Sequence, residues 1–350
     1  MLLYRKPAQT FAIGWMAVQI ILSGCAPAQL KPDQWRDARF DLVWPKAPLP
    51  PKIRFLRSLF VSDQASADQG RMAPLLEWMI GKSDLPVPLL NPYGITADGA
   101  GRVWVADPGD QTVHYFDAVR NVQEEWRAAG NQPFLSPVGV ALDRIGGQVY
   151  VADSVLAKVF VLDRQGRMLG SREPPGGFQR PAGMAVGEDG KLYVVDVLRG
   201  VIEVFSRQGG HVATIHGAGG ELGSLSGPTA VAVDAAGRLY VVDSLHFRVE
   251  VIDASGGLVG FIGQLGDVPG TFARPRGVAV DSFGHIFISD AAFDNIQIFD
   301  LTGTLLLYWG GSGAAPGKFN LPASLFIDGE DRLYVVDSQN HRVQVFQYLP

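Results

Sequence analysis

The sequence predicts an all-β fold, a six-bladed β-propeller, because three landmarks recur together six times. The first landmark is a proline that opens an apolar segment rich in glycine and alanine. The second is an apolar run that ends in aspartate, and the third is a segment in which apolar and polar residues alternate. Successive prolines are 45, 44, 47, 47 and 47 residues apart, and periods of about 40–50 residues with several strands each are typical of propeller blades. The prolines are Pro92, Pro137, Pro181, Pro228, Pro275 and Pro322.

The composition is that of a folded chain with a large core. Of the 350 residues, 47% are hydrophobic and 19% are charged, which excludes a mainly disordered protein. Lysine and arginine number 30 against 35 aspartates and glutamates, so the net charge is −5 and we expect no nucleic-acid partner. Cys25 is the single cysteine, which excludes an intramolecular disulfide and a zinc site made of several thiolates.

Residues 1–24 have the features of a secretory signal peptide. Arg5 and Lys6 precede an apolar run over residues 11–22, and small residues follow it. The run is shorter than the ~20 residues that a membrane-spanning helix needs. We therefore expect residues 1–24 to direct export and then to be removed.

The end of this segment carries a lipidation signal. Leu22-Ser23-Gly24-Cys25 resembles the bacterial lipobox, in which the cysteine receives lipid and becomes the mature N-terminus. In such lipoproteins a residue other than aspartate after the cysteine favours the outer membrane of Gram-negative cells, and here that residue is Ala26. The resemblance implies an outer-membrane lipoprotein of the bacterial cell envelope that faces the periplasm and meets the membrane through its N-terminal lipid. The alternative is an ordinary secreted protein in which Cys25 occurs by chance.

Residues 25–51 are predicted to be the lipidated cysteine and a proline-rich tether. Four prolines fall in the eight residues from Trp44 to Pro51, and proline favours a stiff, extended chain. Such a spacer would hold the following domain away from the membrane. The alternative is that the segment docks on the domain.

Residues 52–350 are predicted to be the propeller, with four strands in each blade. The innermost strand carries small residues because the blades converge on the axis, where bulky side chains would collide. The sixth copy ends at Tyr348 without a fourth strand, and residues 52–60 have strand character. We therefore expect this N-terminal strand to complete blade six and close the ring.

A helical insertion is expected before blade one, within residues 62–90. Pro74 and Gly81 bracket an apolar stretch with the length of a short helix. The stretch is too apolar to stand free in water. It would pack on a propeller face or plug the channel, or it would dock to a partner or a membrane.

The residues that could carry chemistry are distributed among the blades. An aspartate ends the second strand of every copy, where it would accept backbone N–H bonds and fix the next turn. The six histidines are scattered, and His246 and His341 are taken as equivalent positions of two blades. We therefore predict no catalytic residue, no metal and no cofactor. The aspartates are Asp107, Asp153, Asp196, Asp243, Asp290 and Asp337.

Two short runs carry a family resemblance. Asn340-His341-Arg342 after Asp337 resembles the signature of NHL-repeat proteins, and residues 246–249 (His-Phe-Arg-Val) are a partial second match. The resemblance covers about residues 52–350 and implies a six-bladed propeller of the NHL type. The lipobox, the proline-rich segment and the strand that follows also look like those of bacterial six-bladed propeller lipoproteins. Copies two and three lack the Asn-His-Arg-like stretch.

One face of the disc is the expected binding surface. The loops that enter the first strands and leave the second strands should share this face. It gathers arginines and aromatic residues, which are frequent at binding hot spots, and the arginines could receive an anionic group. The alternative is a solvated rim. The binding-face candidates are Tyr93, Arg180, Arg274, Arg276, His246, Phe293, Asn340 and His341.

The functional expectation follows from this face. Propellers of the NHL type commonly act as binding or scaffold proteins, which is an argument from the fold alone. We expect a lipid-anchored scaffold that binds another cell-envelope protein through one propeller face. The alternatives are a propeller enzyme of lyase or lactonase type, and a small-ligand or glycan binder at the channel mouth. A metal or an acidic cluster in the channel would favour the enzyme, whereas an apolar channel pocket with few polar groups would favour the ligand binder.

Overall fold

The computed structural model describes residues 36–60, 88–120, 122–217 and 224–349. These residues form β-strands joined by turns, with short 3-10 turns at Ser244–His246 and Ser338–Asn340. The expected signal peptide, the cysteine and the helix expected at residues 74–81 lie outside the described residues. Within the described part, no helix has the length and hydropathy that a membrane span requires.

Six sheets surround a central axis and form the six predicted blades. The chain begins with β1 (Val43–Trp44) and β2 (Ile53–Leu59), which belong to the last blade. Blade one contains β3 (Gly94–Ala97), β4 (Arg102–Asp107), β5 (Thr112–Asp117) and β6 (Val122–Trp126). A small hairpin of β7 (Ala128–Ala129) and β8 (Gln132–Pro133) leads to blade two, which contains β9 (Pro137–Leu142), β10 (Val149–Asp153), β11 (Lys158–Leu162) and β12 (Met168–Arg172).

The remaining blades repeat this plan, with antiparallel strands ordered from the axis outward. Blade three contains β13 (Pro181–Val186), β14 (Leu192–Asp196), β15 (Val201–Phe205) and β16 (His211–Ile215). Blade four contains β17 (Pro228–Val233), β18 (Leu239–Asp243), β19 (Arg248–Ile252) and β20 (Leu258–Ile262). Blade five contains β21 (Pro275–Val280), β22 (Ile286–Asp290), β23 (Asn295–Phe299) and β24 (Leu305–Gly310). Blade six contains β25 (Pro322–Ile327), β26 (Arg332–Asp337) and β27 (Arg342–Tyr348), followed by β2 and β1.

The N-terminal strand completes blade six, which confirms the expectation for residues 52–60. β2 lies antiparallel to β27, with Leu59 opposite Val343. The innermost strands of blades six and one are in contact, and the Ser338 hydroxyl donates a hydrogen bond to the Pro92 carbonyl at 2.6 Å. The ring is therefore closed both within blade six and between the last blade and the first.

The segment expected as a tether lies partly on the outer edge of blade six. β1 pairs with β2 and adds a fifth strand to this blade. The Phe40 ring lies 5.8 Å from the Phe55 ring, and the Trp44 ring lies 6.0 Å from the Phe346 ring. Phe40, Val43 and Trp44 of this segment therefore pack on blade six, where apolar side chains cover the edge of the core, whereas residues 46–51 are exposed.

The innermost strands approach each other so closely that some positions require glycine. A Cβ atom on Gly139 would overlap the carbonyl oxygen of Ala182 in the next blade, and one on Gly183 would lie 2.5 Å from the carbonyl oxygen of Thr229. The same close approach to a backbone oxygen of the next blade occurs at Gly94 and Gly277. The small residues of the repeat therefore mark the axis, as the sequence predicts.

We expect Gly139→Ala to destabilise the protein by about 1–3 kcal/mol or more, because the added carbon forces two blades apart. The matched control is Gly260→Ala in β20, where no atom lies within 4 Å of the added carbon. The control should change stability by less than about 1 kcal/mol, since alanine fits a strand at least as well as glycine. Denaturant unfolding measures both, and equal stability of the two variants would contradict close packing at the axis.

Candidate functional site

The candidate residues lie on one face of the disc, which we call the blade-start face. It is the face at which the innermost strand of each blade begins and the second strand ends. The strand registers define it, because the first proline of β9 lies opposite the last aspartate of β10, and the same pairing recurs in blades three to six. Tyr93, Arg180 and Arg274 directly precede an innermost strand, and Arg276 is the second residue of β21. The turns after second strands carry His246, Phe293, Asn340 and His341.

Six buried aspartates hold the loops of this face in place. The Asp153 carboxylate accepts backbone N–H bonds from Leu135 at 2.7 Å and Ser136 at 3.0 Å, and both residues lie in the loop that enters its own blade. It also accepts bonds from Val155 and Leu156 in the next turn. Each equivalent aspartate is 0% exposed and accepts at least one N–H bond from its incoming loop. The structural role predicted for these aspartates is confirmed.

The turn after each aspartate has a fixed register that corrects one expectation. The fourth residue after the aspartate has a left-handed backbone in every blade, with Phe247 at φ 57° and His341 at φ 54°. His341 is therefore equivalent to Phe247, and His246 is equivalent to Asn340. The expectation that His246 and His341 are equivalent was wrong by one residue, because the 3-10 turns of blades four and six end at His246 and Asn340, directly before the left-handed residues Phe247 and His341.

Two of the candidates are tied into the scaffold. His246 Nδ1 lies 2.6 Å from the Asp243 carboxylate. Asn340 Nδ2 donates to Asp337 Oδ2 at 2.8 Å and to the Gly313 carbonyl at 2.9 Å. These hydrogen bonds stabilise the turns and occupy polar atoms of both side chains. Fewer of their polar atoms are therefore available to a ligand than the sequence suggests. His341, by contrast, is exposed, and Phe293 is half-buried.

The three candidate arginines differ in orientation. Arg180 and Arg274 are exposed, whereas Arg276 is half-buried and lines the central channel. The guanidinium carbon of Arg276 lies 5.8 Å from the centre of the Tyr93 ring. Burial lowers the pKa of Arg276, and the Tyr93 phenol opposes that shift. Among the residues that the structure describes, no carboxylate forms an ion pair with Arg276, so a cation stands at the channel mouth.

The channel is a cavity of about 160 Å³ along the axis, lined mainly by small and aliphatic residues together with exposed polar groups. Its walls are the innermost strands, with Thr96, Thr229 and Ser324 as neutral polar groups. Arg276 lies at the blade-start mouth, and Arg144 follows β9 at the opposite end. The described lining residues include neither a carboxylate nor an imidazole. The channel therefore has the chemistry to hold a small apolar anion.

A second feature of the blade-start face is a series of exposed apolar side chains, which we call the apolar row. The second residue after the aspartate is Val155, Leu198 and Leu245 in three consecutive blades, and each is 63–64% exposed. The incoming loops of blades one and two add Leu90 and Leu135, at 55% and 42% exposed. Sequence reasoning missed this row because its members are a whole blade apart. An alignment of the copies on their aspartates would have found it.

These observations define the class of the protein as a six-bladed β-propeller with a central channel. Residues 319–346, which fall in blade six and the loop before it, match the family model described as NHL repeat. This match and the six-bladed architecture together support an NHL-type β-propeller. Comparison with curated proteins gives no match.

Solved structures with low sequence identity share this fold. A Bacteroides thetaiotaomicron protein of unknown function is 18% identical, with a TM-score of 0.61, and the match covers 75% of this chain and 70% of that one. An auxiliary nutrient binding protein of the same organism is 13% identical, with a TM-score of 0.57 and coverage of 75% and 70%. A streptogramin B lyase is 13% identical, with a TM-score of 0.56 and coverage of 75% and 95%. At these identities the likeness shows the fold alone.

We expect the channel mouth to bind benzoate as a probe anion and Arg276→Ala to weaken that binding about tenfold, which corresponds to one charged hydrogen bond. Arg274→Ala is the matched control, because Arg274 is a neighbouring arginine that is exposed and does not line the channel. Isothermal titration calorimetry measures both variants. Equal affinity of the two variants, or no binding by the unchanged protein, would show that Arg276 does not form an anion site.

Proposed function

We propose that this protein is a lipid-anchored scaffold of the bacterial cell envelope that binds a partner protein with its blade-start face. The apolar row carries this proposal. Large apolar side chains that are more than half exposed in several consecutive blades lose favourable burial unless something covers them. Grouped apolar exposure of this kind on one face is typical of protein interaction sites.

The surroundings of the apolar row also fit a protein interface. Arg180 and Leu198 belong to the same blade, and the Arg180 carbonyl accepts a hydrogen bond from Val197 at 3.0 Å. The arginine therefore stands beside the apolar row, and His341 and Arg274 lie further around the same face. An apolar centre with polar and arginine neighbours matches the composition of interfaces between proteins.

The rigidity of this face supports binding. The buried aspartates fix the incoming loops, so the exposed side chains are presented with little freedom to lose. Binding that orders few residues has a smaller entropic cost, and a preformed surface therefore gains affinity. A disc with such fixed loops suits the role of a scaffold.

We propose further that Cys25 carries the lipid and that the protein resides at the outer membrane, facing the periplasm. The basic start, the apolar run, the lipobox-like residues and Ala26 support this proposal. A single lipid chain gives only marginal membrane binding, so stable anchoring takes more than one chain. The folded domain would then stand beside the membrane rather than within it.

A second candidate function is the binding of a small anionic ligand at the channel mouth. The observation that favours it is the half-buried Arg276, which stands without a carboxylate partner in the described part of the chain. The nutrient-binding propeller from Bacteroides has the same fold, which is compatible with this use. The alternative of a lyase or lactonase is supported by the fold likeness to a streptogramin B lyase alone.

We expect Cys25→Ser, produced in a Gram-negative host, to move the protein from the membrane to the soluble fraction, because the serine cannot receive the lipid. The mass of the N-terminal peptide measures the modification. The control is Ala26→Asp, which should keep the lipid and shift the protein from the outer to the inner membrane. An unmodified Cys25 peptide in the unchanged protein would contradict the proposed lipid anchor. It would not bear on the proposed binding of a partner by the blade-start face.

We expect the double variant Leu198→Glu and Leu245→Glu to reduce cross-linked capture of the partner from membranes at least about tenfold, because charges in an apolar contact are left without water. The matched control places the same charges in the same two blades, as Val212→Glu and Val259→Glu in the outer strands β16 and β20. Those side chains are 53% and 58% exposed.

The expected result is one partner that the unchanged protein and the outer-strand variant both capture and that the double variant in the apolar row loses. Thermal unfolding should be alike for the three proteins. Equal capture by all three, or equal loss in both variants, would contradict the assignment of the partner to this face.

A further inference from the structure

Five of the six blades place a buried polar side chain on the third strand, seven residues after the aspartate that ends the second strand, whereas blade two has Phe160 there. In blade six this residue is Gln344, which is 0% exposed and donates to Asp337 at 2.9 Å. In blade five it is Gln297, which donates to the Thr271 carbonyl at 2.9 Å. In blade one the residue at this position is His114, with a side chain 2% exposed.

Blade one differs from blades four and six in the charges around its aspartate. In those blades an arginine five residues after the aspartate approaches it, with Arg342 Nε 2.8 Å from Asp337 and Arg248 Nε 3.5 Å from Asp243. Blade one has Thr112 at this position. It also has a second acid, Asp110, where blade six has a neutral asparagine.

The three side chains of blade one converge. His114 Nε2 lies 3.2 Å from Asp110 Oδ2 and 4.0 Å from Asp107 Oδ2, and one ligand atom from each residue falls within 4.8 Å of the others. Asp110 Oδ1 is buried without a hydrogen-bond partner among the described groups, and the contact of buried His114 Nε2 with Asp110 Oδ2 does not have the geometry of a hydrogen bond. Asp110 is 18% exposed, so the cluster has a side that opens to water.

We propose that Asp107, Asp110 and His114 bind a divalent transition-metal ion, with Zn²⁺ as the preferred ion. A tetrahedral Zn²⁺ with ligand bonds of about 2.0–2.1 Å places its donor atoms about 3.3 Å apart, close to the separations of 3.2 and 4.0 Å found here. One imidazole nitrogen with two carboxylate oxygens is a donor set that suits Zn²⁺. The open side at Asp110 leaves room for a water as the fourth ligand.

Arg127 lies 3.7 Å from Asp110 Oδ2, but among the described residues no arginine forms an ion pair with Asp107. The ion would therefore supply to Asp107 the positive charge that arginine brings to the equivalent aspartates of blades four and six. Burial is the main cause that raises the pKa of Asp110, and His114 opposes the shift. A carboxylate in such surroundings is stabilised by a nearby cation. The expectation of no metal rested on the scatter of the histidines, whereas this site needs a single imidazole because two carboxylates complete it.

Blade six provides a reference for the test, because it has an aspartate, an asparagine and a glutamine at the positions of the three proposed ligands. The double variant Asp110→Asn and His114→Gln converts the blade-one trio into the Asp-Asn-Gln trio of Asp337, Asn340 and Gln344. Since that trio is stably hydrogen-bonded in blade six, we expect the variant to fold. The matched control is His246→Gln, which removes another histidine that contacts a buried aspartate.

The experiment is calorimetric titration of Zn²⁺ into the full chain after treatment with a chelator. The unchanged protein and His246→Gln should bind one Zn²⁺ per chain, and the unfolding temperature of both should rise with the ion. The double variant should bind Zn²⁺ more than about 100-fold more weakly, because changes outside the ligand shell alone cost about 10–100-fold. Its unfolding temperature without metal should equal that of the unchanged protein.

The single variant Asp110→Asn provides a second measurement if the double variant does not fold. It keeps the imidazole, and it should also weaken Zn²⁺ binding because it removes one charged ligand. No stoichiometric binding by the unchanged protein would overturn the proposal, and so would equal binding by the unchanged protein and whichever blade-one variant folds.

Discussion

The convergence of six backbones on one axis is the constraint on which this structure depends. At Gly139 and Gly183 the next blade's carbonyl oxygen occupies the space where a Cβ atom would stand, so these contacts between innermost strands require glycine. Ala230 holds the equivalent position in blade four, so the contact there accommodates a methyl group. A narrow channel of about 160 Å³ remains where the innermost strands converge.

The fold could be predicted from the sequence because each of its determinants repeats. Small residues, an apolar run and an aspartate return with each blade, and the missing fourth strand of the last copy identifies the strand that closes the ring. Docking of the segment that contains Phe40 and Trp44 was only the alternative prediction, since proline-rich composition suggests an extended spacer. Their aromatic rings cover the edge of blade six, and burial of that apolar surface outweighs the preference of the chain for an extended form.

The site was predicted only in part, because function here depends on the direction of side chains. Sequence position brings Arg274 and Arg276 to one face, but Arg274 precedes β21 and is exposed, whereas Arg276 lies within β21 and lines the channel. The left-handed residue of the turn is Phe247 in blade four and His341 in blade six, so His246 and His341 are one position apart in the repeat. The conformational preferences of histidine do not indicate this register. The members of the apolar row come from turns of different blades, and Asp110 meets His114 because the turn after β4 places them together. Neither group of residues is continuous in the sequence, so neither is visible as a motif.

The position of β1 on the outer edge of blade six has a mechanical consequence. In the described part of the chain, β1 is the outermost strand of blade six, and it precedes β2 along the chain. An anchor at Cys25 would therefore act on the propeller through this outer strand rather than through the strands around the channel. Tension on the proposed anchor would separate β1 from β2 before it reaches the innermost strands of the propeller.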